Sequence, residues 1–107
     1  MFENKWTIYI KSLRAASGFT LKTAAEMLHV SAPYLHDVEM GNRTPTRKLV
    51  SSIIELYNLG DEAQRIIYDA AAEVLGSLPF DVEDFLKSNP DAMQTVINMM
   101  SEKKHQL

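Results

Sequence analysis

The sequence has no cysteine, so neither a disulfide framework nor a thiolate metal site is available to it, and it suits a reducing cytosol. No apolar run comes near the roughly 20 residues that a membrane-spanning helix needs. The first residues, Met1-Phe2-Glu3-Asn4-Lys5-Trp6, lack the basic-then-apolar build of a secretory signal. A soluble cytoplasmic protein without a membrane partner is expected. Internal repeats, low-complexity linkers and alternating strand patterns are missing too, which leaves an all-α chain. There is no His-Glu-x-x-His, no Gly-rich phosphate loop and no Gly-x-Ser-x-Gly. The three histidines (29, 36 and 105) are scattered. His36, Asp37 and Glu39 lie close in sequence, but Asp37 and Glu39 fall on different faces of a helix, and two ligands do not make a metal site. Neither an enzyme nor a cofactor or metal is expected.

What is present is enough for one folded chain. It has 107 residues, 46% of them hydrophobic, which supports a modest core. The net charge of −3 does not by itself suggest a nucleic-acid binder. Its distribution is uneven, however. Residues 1–60 carry seven Lys/Arg against five Asp/Glu, and residues 61–107 carry four against nine. A mildly basic front and an acidic rear suit a chain that approaches phosphates from one end, or else reflect a solvated surface with no preference.

Periodicity and start signals mark out the helices in turn. The first runs from about Trp6 to Ser17, with Trp6, Ile10 and Leu13 on one face and Gly18 as its stop. Thr20 caps the second, whose Ala25 and Leu28 point inward. Ser31 caps the third, with Pro33 in its first turn, Leu35 and Val38 facing the core, and Gly41 ending it. Thr46 caps the fourth, with Leu49, Ile53, Leu56 and Tyr57 in a stripe. Asp61 and Gln64 have capping-box spacing at the start of the fifth, which carries Ile66, Ile67, Ala70, Ala71 and Val74 and closes at Gly76. A short helix spans about Asp81 to Leu86. The last starts at Asn89-Pro90, and its tail from Glu102 to Leu107 is polar and expected to fray.

The segment from Thr20 to Gly41 is the informative one. Two short capped helices joined by a tight turn form a unit whose second helix suits a DNA groove. Small Ala25 permits close approach, Val30 fills the angle, and Tyr34, His36 and Asp37 remain on the outer side. Arg14, Thr20 to Leu28, Val30-Ser31 to Glu39-x-Gly41, Arg43 and Pro45 together resemble the Cro/XRE (lambda-repressor-like) helix-turn-helix regulators over roughly Ile8 to Leu59. Tyr68-Asp69-Ala70-Ala71 and Pro79-x-Asp81-Val82 resemble the tails of some of these regulators, less specifically. The fold implied is a five-helix DNA-binding domain over residues 1–76, with extra C-terminal helices over 77–107.

The resemblance also implies residue roles. Arg14 and Glu39 form a structural ion pair, which agrees with the need of a Glu near a helix end for a cation. Base contacts fall on Ala32, Pro33, Tyr34, His36 and Asp37. None of these is a guanine reader, so DNA shape is expected to carry part of any specificity. Arg43, Arg47 and Lys48 are phosphate contacts. Arg47 and Lys48 stand in a first helical turn, where the dipole disfavours cations, so something other than helix stability placed them there. Thr20, Lys22, Ser31 and Thr46 join them at helix starts. Leu21 stands where the family usually has a backbone-contacting glutamine. His29 stands where glycine is common in a turn that often needs a positive φ; a strained turn histidine is the expectation, ahead of a pH sensor.

Met93, Val96, Ile97 and Met100 make an apolar stripe on the last helix. It packs on its own subunit against Ile66, Ile67 and Val74, forms a twofold dimer interface, or holds a protein partner such as a toxin or anti-repressor. The favoured reading is a sequence-specific regulator that represses from an operator as a homodimer on double-stranded DNA. The rival is a protein-interaction module or antitoxin that keeps the fold.

Overall fold

A computed structural model of the chain describes residues 4–105, with side chains through Glu102. Seven helices and no strand occur among the described residues: α1 (Lys5–Ser17), α2 (Leu21–Met27), α3 (Ala32–Glu39), α4 (Arg47–Leu56), α5 (Asp61–Leu75), α6 (Phe80–Ser88) and α7 (Pro90–His105). The all-α expectation holds. None of these helices is long and apolar enough to cross a membrane. The chain divides into two compact units, Met1–Ser77 and Leu78–Leu107.

Side-chain caps set where the first four helices begin. Asn4 Oδ1 accepts from the Thr7 amide at 2.9 Å, and Thr7 Oγ1 accepts from the Asn4 amide at 2.9 Å. Each pairs an amide that a helix start otherwise leaves without a partner. Thr20, Ser31 and Thr46 accept from the amides of Thr23, Tyr34 and Leu49 at 3.1, 3.2 and 3.1 Å. The capping box expected at Asp61 and Gln64 does not form. Gly60 is the N-cap and offers no side chain. Asp61 already lies inside the helix, and Gln64 Nε2 turns back to the Leu59 carbonyl at 2.8 Å.

Three helix ends in this unit, those of α2, α3 and α4, share one geometry. At α2, His29 N donates to Glu26 O and Val30 N to Ala25 O. At α3, Gly41 N donates to Val38 O and Asn42 N to Asp37 O; at α4, Asn58 N donates to Glu55 O and Leu59 N to Ile54 O. Each is a Schellman end, which needs a left-handed residue just past the helix. The three residues are His29 (φ 59), Gly41 (φ 81) and Asn58 (φ 50). An L side chain costs about 1–2 kcal/mol in that region, partly offset by the extra unfolded-state freedom of glycine. His29→Gly should therefore stabilise the unit by about 0.5–1 kcal/mol. A urea midpoint that stays put or falls would show instead that the imidazole contributes to the folded state.

The core of the first unit is built by α1, α3 and α5 around Trp6, Leu35, Val38 and Ile67, with Leu49, Val50 and Ile53 from α4 and Ala24, Ala25 and Leu28 from α2. Ala24 and Ala25 are both buried and small where α2 packs on α3. Ala70, Ala71 and Ala72 complete the buried face of α5, and Tyr9 Oη reaches the Ala63 carbonyl at 3.5 Å. Burial raises the Tyr9 pKa. Several expected core positions sit at the rim instead. Leu13, Leu56, Tyr57 and Val74 are half-buried, and Ile66 is exposed, because the turn of α5 that aims Ile67, Ala70 and Ala71 inward leaves Ile66 on its outer edge.

In the second unit α6 packs on α7 and buries Leu86. The sixth helix is longer than the expected Asp81 to Leu86. The seventh runs to His105, and Gln106 and Leu107, the end of the tail expected to fray, lie outside the described residues. Met93 is half-buried, and Val96, Ile97, Met99 and Met100 are exposed.

Candidate nucleic-acid interface

The second helix of the capped pair, α3, presents one inner and one outer face. Leu35 and Val38 point inward, 1% and 0% exposed, and fix α3 against α1 and α2. The same eight-residue helix then leaves Ala32, Tyr34 and Asp37 half-buried and Pro33 and His36 exposed on the outside. Helical spacing causes this division: positions 35 and 38 share a face, and 33, 36 and 37 cannot join it.

After Gly41 the chain folds back on α3. Asn42 N and Arg43 N both donate to the Asp37 carbonyl, at 2.8 and 3.3 Å. This places the Arg43 side chain over α3. Its guanidinium carbon lies 5.6 Å from the Tyr34 ring centroid, and its Nε lies 3.8 Å from Asp37 Oδ2. His36 Nδ1 approaches Asp37 Oδ1 at 3.6 Å. Tyr34, Asn42, Arg43, Thr44 and Thr46 line one open concavity of about 450 Å³ between α3 and α4. Lys48 lines a smaller neighbouring one of about 100 Å³ with His29, Val30 and Tyr34.

The positions singled out in the sequence are thus distributed as follows. Tyr34, Arg43 and Thr46 share the concavity, Lys48 adjoins it, and Arg47 occupies the same first turn of α4. Ser31 sits at the start of α3, where its hydroxyl is engaged as the cap. Thr20 and the exposed Lys22 belong to the start of α2, and neither lines the concavity. Asn42 and Thr44 line it without having been singled out. Their signal was present, since a polar turn just beyond a recognition-type helix is where such a lining arises, but only the turn geometry shows which residues face inward. Chemically the region offers cationic Arg43 and Lys48, hydroxyls, amide groups and one aromatic face, a set that suits phosphate and base edges.

The outer face is held from behind by an ion pair. Arg14 Nε donates to Glu39 Oε2 at 2.9 Å and Nη2 donates to Oε1 at 3.0 Å, a bidentate contact between α1 and the end of α3. Arg14 Nη1 also donates to the Phe19 carbonyl at 3.2 Å, tying the α1–α2 connection to the pair. The hydrogen bond to Glu39 is the main reason the Arg14 pKa is raised. Phe19 and Tyr57 lie ring to ring at 6.2 Å, tilted by 34°. Burial first, and then the Glu39 carboxylate, raise the Tyr57 pKa above its ordinary 10.0. One cluster thus joins α1, the α1–α2 turn, α3 and the end of α4.

No group of three or more His, Asp or Glu side chains among the described residues has the arrangement of a metal site. No curated protein and no solved structure matches the chain. Residues 8–65 match the helix-turn-helix domain family, a span that runs from α1 through the first turn of α5 and takes in the capped pair, the Arg14–Glu39 brace and the concavity. That is more than half of the 107 residues, and the chain belongs to the helix-turn-helix domain family.

Proposed function

We propose that the protein is a sequence-specific DNA-binding transcriptional regulator of the Cro/XRE (lambda-repressor-like) type. It is a cytoplasmic repressor that binds an operator as a homodimer, with α3 in the major groove. The observation that carries this reading is the convergence of Tyr34, Arg43 and Thr46 on one concavity at the outer edge of α3, with Lys48 adjoining it, in a domain of the helix-turn-helix family. Ala32, Pro33, Tyr34 and His36 meet base edges, and Asp37 stands beside them on the same outer face. Arg43, Arg47 and Lys48 meet phosphates, and Thr20, Lys22, Ser31 and Thr46 add contacts at helix starts. Met93, Val96, Ile97 and Met100 on α7 supply the dimer contact that two half-sites require.

Phosphate contacts weaken binding on every sequence when lost, because each released counterion contributes to affinity regardless of the bases. Arg43→Ala or Arg47→Ala should lower duplex affinity uniformly and shallow the slope of log affinity against log salt by about one. Fluorescence anisotropy over a salt series measures both. Slopes and affinities equal to wild type would remove these two residues from the phosphate set.

A second reading is favoured by the exposed Val96, Ile97, Met99 and Met100 on α7. An apolar surface of this kind suits a protein partner, so the chain would be an interaction module or antitoxin that holds a toxin or anti-repressor through its C-terminal helices. Salt-sensitive duplex binding, present or absent, separates the two.

A further inference from the structure

We propose that Asp37 and Tyr34 are positioning residues for Arg43, and that Asp37 acts on DNA through this arginine rather than by touching a base. The proposal rests on the DNA-binding reading above. Arg43 lies in the α3–α4 connection with an exposed side chain, a setting in which a guanidinium ordinarily samples many rotamers and loses them on binding. Here it is restrained at both ends. Its backbone amide donates to the Asp37 carbonyl at 3.3 Å, and its Nε lies 3.8 Å from the Asp37 carboxylate. Its guanidinium carbon lies 5.6 Å from the Tyr34 ring centroid.

Neither side-chain restraint consumes the donors. A separation of 3.8 Å is longer than a hydrogen bond, so it is a charge contact that orients the group. The ring attracts the cation through its quadrupole and offers no lone-pair acceptor for its N–H groups. The arginine is thereby aimed before DNA arrives, with its fork available for a phosphate. This also accounts for a carboxylate on a surface that meets polyanion. Alone, Asp37 would repel the backbone; coupled to Arg43, it removes part of the ordering cost.

The two roles give opposite signs in a double-mutant cycle. Dissociation constants are measured on a mixed-sequence duplex for wild type, Asp37→Asn, Arg43→Ala and the double variant, with melting curves confirming that each is folded. Asp37→Asn should weaken binding by about threefold when Arg43 is present, the scale of one exposed cation–π or ion-pair contact. In the Arg43→Ala background the same change should strengthen binding, since only repulsion is removed. Asp37→Glu, which keeps the charge, should recover most of the loss. Binding that is strengthened or unchanged by Asp37→Asn alone, or weakened equally in both backgrounds, overturns the proposal while leaving the DNA reading intact. Wild-type protein that binds no duplex overturns both.

Discussion

Arg14→Ala should lower the unfolding free energy of the helix-turn-helix unit by about 3 kcal/mol, the low end of the range for stripping one partner from a buried pair. An exposed ion pair would lose under about 1 kcal/mol, so burial decides the size of the effect. Glu39 is 4% exposed and takes both of its oxygens to Arg14, so the variant leaves an uncompensated carboxylate inside the fold. Arg14 itself is partly exposed, which lets water replace some of the loss. Against a total of about 5–15 kcal/mol for a domain, the change is large. Glu39→Gln should cost less, because its amide keeps shape and part of the hydrogen bonding without a buried charge. Thermal and urea unfolding followed by circular dichroism measure all three proteins. A melting curve unmoved by Arg14→Ala would contradict the brace. The brace also touches alkaline behaviour. A pKa raised in the folded state stabilises the fold below the unfolded value and loses that contribution as pH rises through the folded one. Tyr57, raised from 10.0 by burial and by Glu39, therefore makes stability fall above pH 10.

Leu35→Ala should cost about 2–5 kcal/mol, as a buried leucine does when its neighbours cannot close over the void. Leu35 is 1% exposed and anchors a helix of only eight residues. A helix that short has no stability of its own in water and holds its direction only through packing. The variant should therefore lose duplex affinity together with stability, although Leu35 points away from the outer face. His36→Ala, on the exposed side of the same helix, should change stability by less than about 0.5 kcal/mol. Urea midpoints for the pair compare the faces directly. A Leu35→Ala loss no greater than that of His36→Ala would mean that α3 is not held as described.

Which features were legible in the sequence follows from how local their causes are. Thr20, Ser31 and Thr46 cap helices through bonds to an amide three residues on, so their identity and spacing sufficed. The same rule misplaced the start of α5, where Asp61 had the right spacing to Gln64 but lies one residue inside the helix. It also passed over Asn4, whose box partner is Thr7 rather than the usual Glu or Gln. Of the three Schellman ends, Gly41 was visible from composition and His29 from the resemblance, while Asn58 carried a signal too common to use. Ile66 is exposed although it belongs to the apolar stripe of α5; a 3.6-residue period cannot say which edge of such a stripe is covered. The contact of Arg43 with Tyr34 and Asp37 depends on how the chain turns back after Gly41, which no periodicity encodes.

The central claim is that α3 and the residues around Arg43 read duplex DNA. Selection of the purified protein against a pool of random duplexes at near-physiological salt tests it most directly. The expected result is enrichment of a palindrome whose half-sites lie about one helical turn apart. A pool that shows no enriched sequence, with binding no stronger than the weak salt-sensitive kind, would contradict it and turn attention to a protein partner for α7.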